Sequence, residues 1–210
     1  MKKILGLTVA ALLIIALVGG GTWAYFSDTE SSTDNSLTAG VLDLTVDGVN
    51  VAVTTFSEGA AAPGDSGSGS TTLANAGSMA GELDISFSAI TNTAGAGGTE
   101  FEGGSGELGG VAEIAVYLDV NQNATFDAGD IELNTTGANP YANPGNTTLD
   151  YATINSYGSV SYNAVLASMA APAADDFIVL WQVPTTADNT IQGDSVSFDV
   201  TFVLEQAAAD

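Results

Sequence analysis

Oxygen-bearing side chains fall at alternate positions along Asp119-Val120-Asn121-Gln122-Asn123-Ala124-Thr125-Phe126-Asp127-Ala128-Gly129-Asp130. Asp119, Asn121, Asn123, Asp127 and Asp130 take loop positions one, three, five, nine and twelve, and Thr125 offers a carbonyl at position seven. That spacing is a calcium loop of EF-hand type, in which a hard cation is wrapped by alternate oxygens. Two departures stand out: Ala124 replaces the glycine at position six, and the short Asp130 replaces the bidentate glutamate at twelve. No long helix pattern flanks the loop, so it is expected between strands, binding calcium weakly, with a dissociation constant on the order of 10⁻⁴–10⁻³ M. The bland alternative is a polar turn rich in Asp and Asn.

Other chemistry is scarce. The chain has no cysteine and no histidine, and its two basic residues are Lys2 and Lys3. A serine triad lacks its base, and a zinc site lacks its nitrogen and sulfur ligands. Only carboxylate chemistry of the glycosidase kind remains, and no pair stands out from the solvated surface. The chain therefore reads as a non-enzyme. Asn134-Thr135-Thr136 and Asn146-Thr147-Thr148 fit the glycosylation sequon. Asn123-Ala124-Thr125 fits it too, but a glycan there would spoil the calcium ligand.

The elements that must position these residues begin with a leader. Lys2 and Lys3 precede an apolar run from Ile4 to Val18, three glycines follow, and Thr22-Trp23-Ala24 has the small-x-small form of a cleavage site. The cut is predicted between Ala24 and Tyr25. A retained anchor is the alternative, but a span needs ~20 apolar residues and the run is shorter. Removing the leader takes the formal charge from −23 to −25, because the first acidic residue is Asp28. A mature chain without Lys, Arg or His has no patch for nucleic acid and no attraction to anionic lipid. Its self-repulsion calls for cations or salt.

Beyond a polar stretch over 27–36, the pattern has period two. Leu42, Leu44 and Val46 alternate with polar residues, as do Val49, Val51 and Val53, and Asp47-Gly48 between them is a hairpin signal. Pro63-Gly64-Asp65 is a turn before a Gly/Ser stretch, with a short strand at 71–74. Leu83, Ile85, Phe87 and Ala89 share one face. Residues 94–110 read as a surface loop, Ile114 to Val120 as a strand, 135–147 as turns, and 151–166 as strand or short helix. Phe177 to Val183 is apolar on both faces and is predicted central. Val196, Phe198, Val200, Phe202 and Leu204 form the clearest row. Many short strands with Gly/Pro/Asn turns predict an all-β fold, a jelly-roll-like antiparallel β-sandwich after an N-terminal signal helix. The expected division is signal peptide 1–24, N-terminal arm 25–36, sandwich 37–206 with insertions near 94–110 and 119–147, and a tail at 207–210.

The stretch Gly19 to Glu30 with Leu37 to Leu44 resembles the start of the TasA/camelysin family. Ala62-Pro63-Gly64-Asp65, Leu73-Ala74-Asn75-Ala76-Gly77 and Asn189 to Phe198 fall in that family's order. The resemblance implies a SipW-type signal peptidase during export and a jelly-roll subunit of extracellular fibres, in biofilm matrix or bundling pili. It also implies a homopolymer in which the arm freed by cleavage enters the next subunit as a donor strand, with Tyr25, Phe26 and Leu37 as its apolar members. Camelysin is described as a metalloprotease, and without histidine that activity is not carried over. The expectation is a secreted filament subunit, assembled head to tail and helped by calcium, with no membrane contact after cleavage. The alternatives are a monomeric calcium- or carbohydrate-binding surface module and, remotely, a secreted hydrolase.

Overall fold

A computed structural model describes residues 2–20, 39–50, 61–95, 106–135 and 147–206. Helix α1 spans Lys2–Gly20 and is built from apolar residues that favour helix, ending in the glycines that disfavour it. It belongs to a unit over Met1–Thr38, separate from the compact unit Ala39–Asp210. Among the described residues no helix is long and apolar enough to cross a membrane.

The second unit holds strands β1 (Leu44–Val46), β2 (Ser66–Asn75), β3 (Gly81–Thr93), β4 (Glu113–Asp119), β5 (Ile131–Leu133), β6 (Ala152–Thr153), β7 (Ser161–Met169), β8 (Ala173–Gln182) and β9 (Ser195–Glu205). A one-turn helix, α2, covers Leu108–Val111. One sheet runs β1-β2-β8-β4-β5, with β6 also on β4; the other runs β7-β3-β9, and every pairing is antiparallel. This is the expected all-β sandwich. The apolar rows of both sheets face one interior, where Leu73, Ile114, Val116, Leu118, Phe177 and Val179 meet Leu83, Ile85, Phe87, Tyr162 and Val165. Phe87 sits at the centre, with Tyr157 5.0 Å away, Phe198 6.0 Å, Tyr162 6.2 Å and Phe177 6.4 Å, ring to ring.

Several local expectations hold. Asp47 and Gly48 both take positive φ (49° and 74°), the geometry of a tight hairpin turn, and Val46 bridges Val49. Strand β8 is central, between β2 and β4. Others are corrected. The Gly/Ser stretch is itself strand: β2 starts at Ser66 because ten residues of β8 supply its ladder from Gln182 to Ala173. Ala89 does not join the inward row of β3. A bulge between Ser88 and Thr91 slips the alternation, Ala89 turns outward with φ 53°, and Ile90 packs on the core instead. The ambiguous stretch divides into β6, a 3₁₀ turn at Ile154–Tyr157 and β7.

Of the expected segments, Val51, Val53, Asn146 and most of 94–110 and 135–147 lie outside the described residues. So do the cut at Ala24–Tyr25 and the arm with Phe26 and Leu37.

Candidate metal centre and sheet edge

The loop after β4 takes its shape from its own side chains. Asp119 is fully buried, and its carboxylate accepts the N–H of Asn123 at 3.3 Å and of Ala124 at 2.6 Å. Asn121 Oδ1 accepts from the N–H of Asn123, and Asn123 Oδ1 from the N–H of Thr125. The amide groups of both asparagines donate to Asp127 Oδ2, at 3.0 and 2.8 Å. Asp130 closes the loop, accepting the N–H of Val120 at 3.1 Å and of Asp127 at 2.9 Å. Gln122 and Ala124 adopt positive φ of 56° and 57° to follow the tight path. Phe126 then folds back on Tyr117, ring to ring at 5.3 Å, and seals the outer face of β4.

The electrostatics divide the acids. The Gly129 N–H, followed by the Asn123 and Asn121 amides, holds the Asp127 carboxyl below its usual range. Burial pushes Asp130 up, and the neighbouring charges of Asp119 and Asp127 add to it. Burial, then the charges of Asp119 and Asp130, raise the Tyr117 hydroxyl to about 12. The six predicted ligands thus lie in one loop, with Asn121, Asn123 and Thr125 engaged in turn-type bonds along it. An oxygen-only donor set of this kind suits a hard cation such as calcium and not zinc.

A second acidic group was missed in the sequence. Glu82, Asp84 and Glu205 bring one carboxylate oxygen each within 4.8 Å of one another, and they could hold a metal ion. Glu82 stands directly opposite Glu205 across the β3–β9 pair, and Asp84 opposite Val203. Strand alternation alone signals that Glu82 and Asp84 share a face; the partner strand cannot be read without the register.

Among the described residues the two sides of the sandwich differ. On the far side, the Tyr157 hydroxyl of the 3₁₀ turn donates to the Leu133 carbonyl of β5 at 3.2 Å, and the Tyr162 hydroxyl of β7 to the Asn134 carbonyl just past β5 at 2.8 Å, the second linking the two sheets. That contact fixes the main chain of the Asn134 sequon. On the near side, β1 and β9 leave a groove of about 620 Å³ between Leu42, Leu44 and Val46 and Val200, Phe202 and Leu204. Among the described residues β9 pairs only with β3. Its apolar row is half-buried throughout, whereas Leu83, Ile85 and Phe87 on β3 are at most 2% exposed.

The remaining motif residues brace strand ends. The buried Asn75 amide donates to the carbonyls of Met79 and Met169, and its oxygen accepts from Gly77. Asp65 caps Ala62, and Gly64 takes φ 95°. Asp194 accepts the N–H groups of Gly95 and Glu107, on either side of residues 96–105.

With this geometry in place, the comparison with protein families finds that residues 1–98 match the camelysin metallo-endopeptidase family. The resemblance is borne out there, over the stretches 19–30 and 37–44, the Pro-Gly-Asp turn and the Asn-Ala-Gly segment; the closing strand lies beyond the match. A comparison with curated proteins found no match.

Proposed function

Taking the camelysin-family match of residues 1–98 as the premise, we propose that the chain is a secreted structural subunit of extracellular or cell-surface filaments. A signal peptidase of SipW type cuts after Ala24. The freed arm, from Tyr25 through Phe26 to Leu37, adds as a strand to the next copy, giving an open head-to-tail polymer. Calcium in the 119–130 loop stiffens the outer face of β4 through Phe126 and Tyr117, and cations in general relieve the acidic surface.

One observation carries this reading: the half-buried apolar row of β9, which among the described residues pairs only with β3, beside a groove. A strand added along a sheet edge gains main-chain bonds, and beside the partly covered Phe202 and Leu204 it would gain apolar burial as well. The peptidase activity in the family's name finds no support in the donor set, because both acidic groups offer oxygen alone and the chain has no histidine or cysteine.

Electron microscopy of the exported chain, with and without calcium, tests the reading. Fibres are expected, more abundant with calcium, and deletion of residues 25–36 should abolish them while the circular-dichroism spectrum stays that of β-sheet. Fibres from the truncated chain would refute the donor arm. Calorimetry with Asp119→Ala and Asp127→Ala should lose calcium binding; unchanged heats in both would refute the loop.

A further inference from the structure

The compact second unit begins at Ala39, and its first strand, β1, is only three residues long. A chain end held by so short a ladder frays. Here the main chain is caught before the strand begins. The Val41 carbonyl accepts the N–H of Ser78 at 2.8 Å and of Met79 at 3.2 Å, and the Val41 N–H donates to the Ser78 hydroxyl at 3.0 Å. Two residues on, the Asp43 carbonyl accepts the N–H of Ala76 at 2.7 Å. The Val41 side chain is 60% exposed, so this residue is held by its main chain and not by packing.

Two glycines make the approach possible. A Cβ on Gly77 would overlap the Val41 carbonyl oxygen and lie 2.9 Å from the Asp43 nitrogen. A Cβ on Gly40 would overlap the Met79 side chain. Neither glycine has a positive φ, so each is needed for space and not for a turn. Behind the clamp stands Asn75, 1% exposed. Its oxygen accepts the Gly77 N–H at 3.1 Å, and its amide donates to the Met79 carbonyl at 2.8 Å and to the Met169 carbonyl at 3.1 Å. Asn75 ends β2 in one sheet, and Met169 ends β7 in the other. One short turn thus joins the Val41 main chain to both sheets.

We propose that Val41 and the Gly77–Ser78 turn form a mechanical anchor. Tension along the chain before Ala39 is stopped at Val41 and passed through Ser78 and Asn75 to both sheets before it loads β1. Gly77 and Ser78 are positioning residues for the root of the arm. The use of the anchor in a fibre rests on the donor-arm reading above, because an arm held by a neighbouring copy carries the pull between subunits. The anchor itself belongs to the single chain.

The test pulls single molecules of the exported chain, which has no cysteine of its own, from paired cysteine handles. Ala39→Cys with Ser70→Cys puts the clamp in the line of force, and Asn50→Cys with Ser70→Cys leaves it out; all three positions are exposed. Ser78→Ala and Gly77→Ala should each lower the first-rupture force from the handle at 39 and leave that from the handle at 50 unchanged. In Ser78→Ala the Val41 amide should exchange its hydrogen about fivefold faster, the effect of one lost hydrogen bond. Its melting temperature should stay within about 4 °C of the parent. Equal rupture forces in the parent and both variants, or equal losses from both handles, overturn the proposal. These readings come from single chains, so a failure to form fibres refutes the donor arm and leaves the anchor standing.

Discussion

Replacing Asp175 by asparagine should stabilise the protein at pH 8 and leave it unchanged at pH 4. Asp175 stands on β8 two residues before Phe177, in the inward row, and is 7% exposed. Across the ladder it faces Leu73, not a cation. Burial raises its carboxyl to about 6, and the charges of Asp176 and then Asp119 push it the same way. In the unfolded chain the group titrates near the ordinary ~3.9. The folded state therefore holds the proton more tightly. Its favourable contribution is complete below about pH 4 and is lost as pH rises through about 6. A tenfold difference in proton affinity between the two states corresponds to about 1.4 kcal/mol, so the gap between folded and unfolded chain bounds the penalty at roughly 3 kcal/mol. Solvent reaching the strand end screens part of that, leaving about 1–2 kcal/mol.

Asparagine keeps the shape and removes the charge. Thermal unfolding in calcium-free buffer should show Asp175→Asn melting about 3–6 °C higher at pH 8, on the scale of a chain this size. At pH 4 the two proteins should melt together. An equal change in melting temperature at both pH values would mean that packing, not ionisation, controls the site. A loss of stability at pH 8 would mean the carboxylate has a partner that the burial argument overlooks.

Two further outcomes follow from the acidic loop and the acidic pair. Ala124 sits at φ 57°, where a non-glycine residue costs about 1–2 kcal/mol. Against glycine's larger unfolded-state entropy, Ala124→Gly should gain about 0.5–1 kcal/mol in urea unfolding and bind calcium no more weakly; a destabilised variant refutes the strain argument. Glu82→Gln removes the like-charge opposition to Glu205. It should stabilise by about 0.3–1 kcal/mol at low salt, with the gain vanishing in high salt or millimolar calcium; a gain independent of both would show that repulsion is not its source.

The parts of the fold legible in the sequence are those where apolar residues carry a period. The rows of β9 and β8 and the Asp47-Gly48 turn could be read directly, because alternation and positive-φ turn chemistry are local signals. β2 could not: Ser66 to Ser70 are too small to show a period, and only the ladder to β8 makes them strand. The slip at Ala89 is set by a bulge, which depends on the partner strand. The site shows the same division. Spacing along one loop located Asp119 to Asp130, but not that the Asn121 and Asn123 amides turn to Asp127. Glu82 and Glu205 are distant in sequence, so their meeting is a fact of register alone.

One strand, β9, carries both surface charge and a half-buried apolar row. The sandwich is tied on one side by the hydroxyls of Tyr157 and Tyr162; on the other, β9 pairs only with β3 among the described residues and keeps its apolar row half-covered. A surface this acidic keeps copies apart at long range, whereas the main-chain groups of a sheet edge are neutral and pair at short range. Association therefore depends on whether the side chains flanking the edge permit approach. Along β9 those are Asp199 and Glu205, the latter already crowded by Glu82 and Asp84. Any strand arriving at this edge must either bring no charge opposite those carboxylates or arrive with cations that offset them. The ionic conditions of the medium would thus act on the same strand that supplies the apolar gain, so any pairing there would be conditional in a chain whose two basic residues are Lys2 and Lys3.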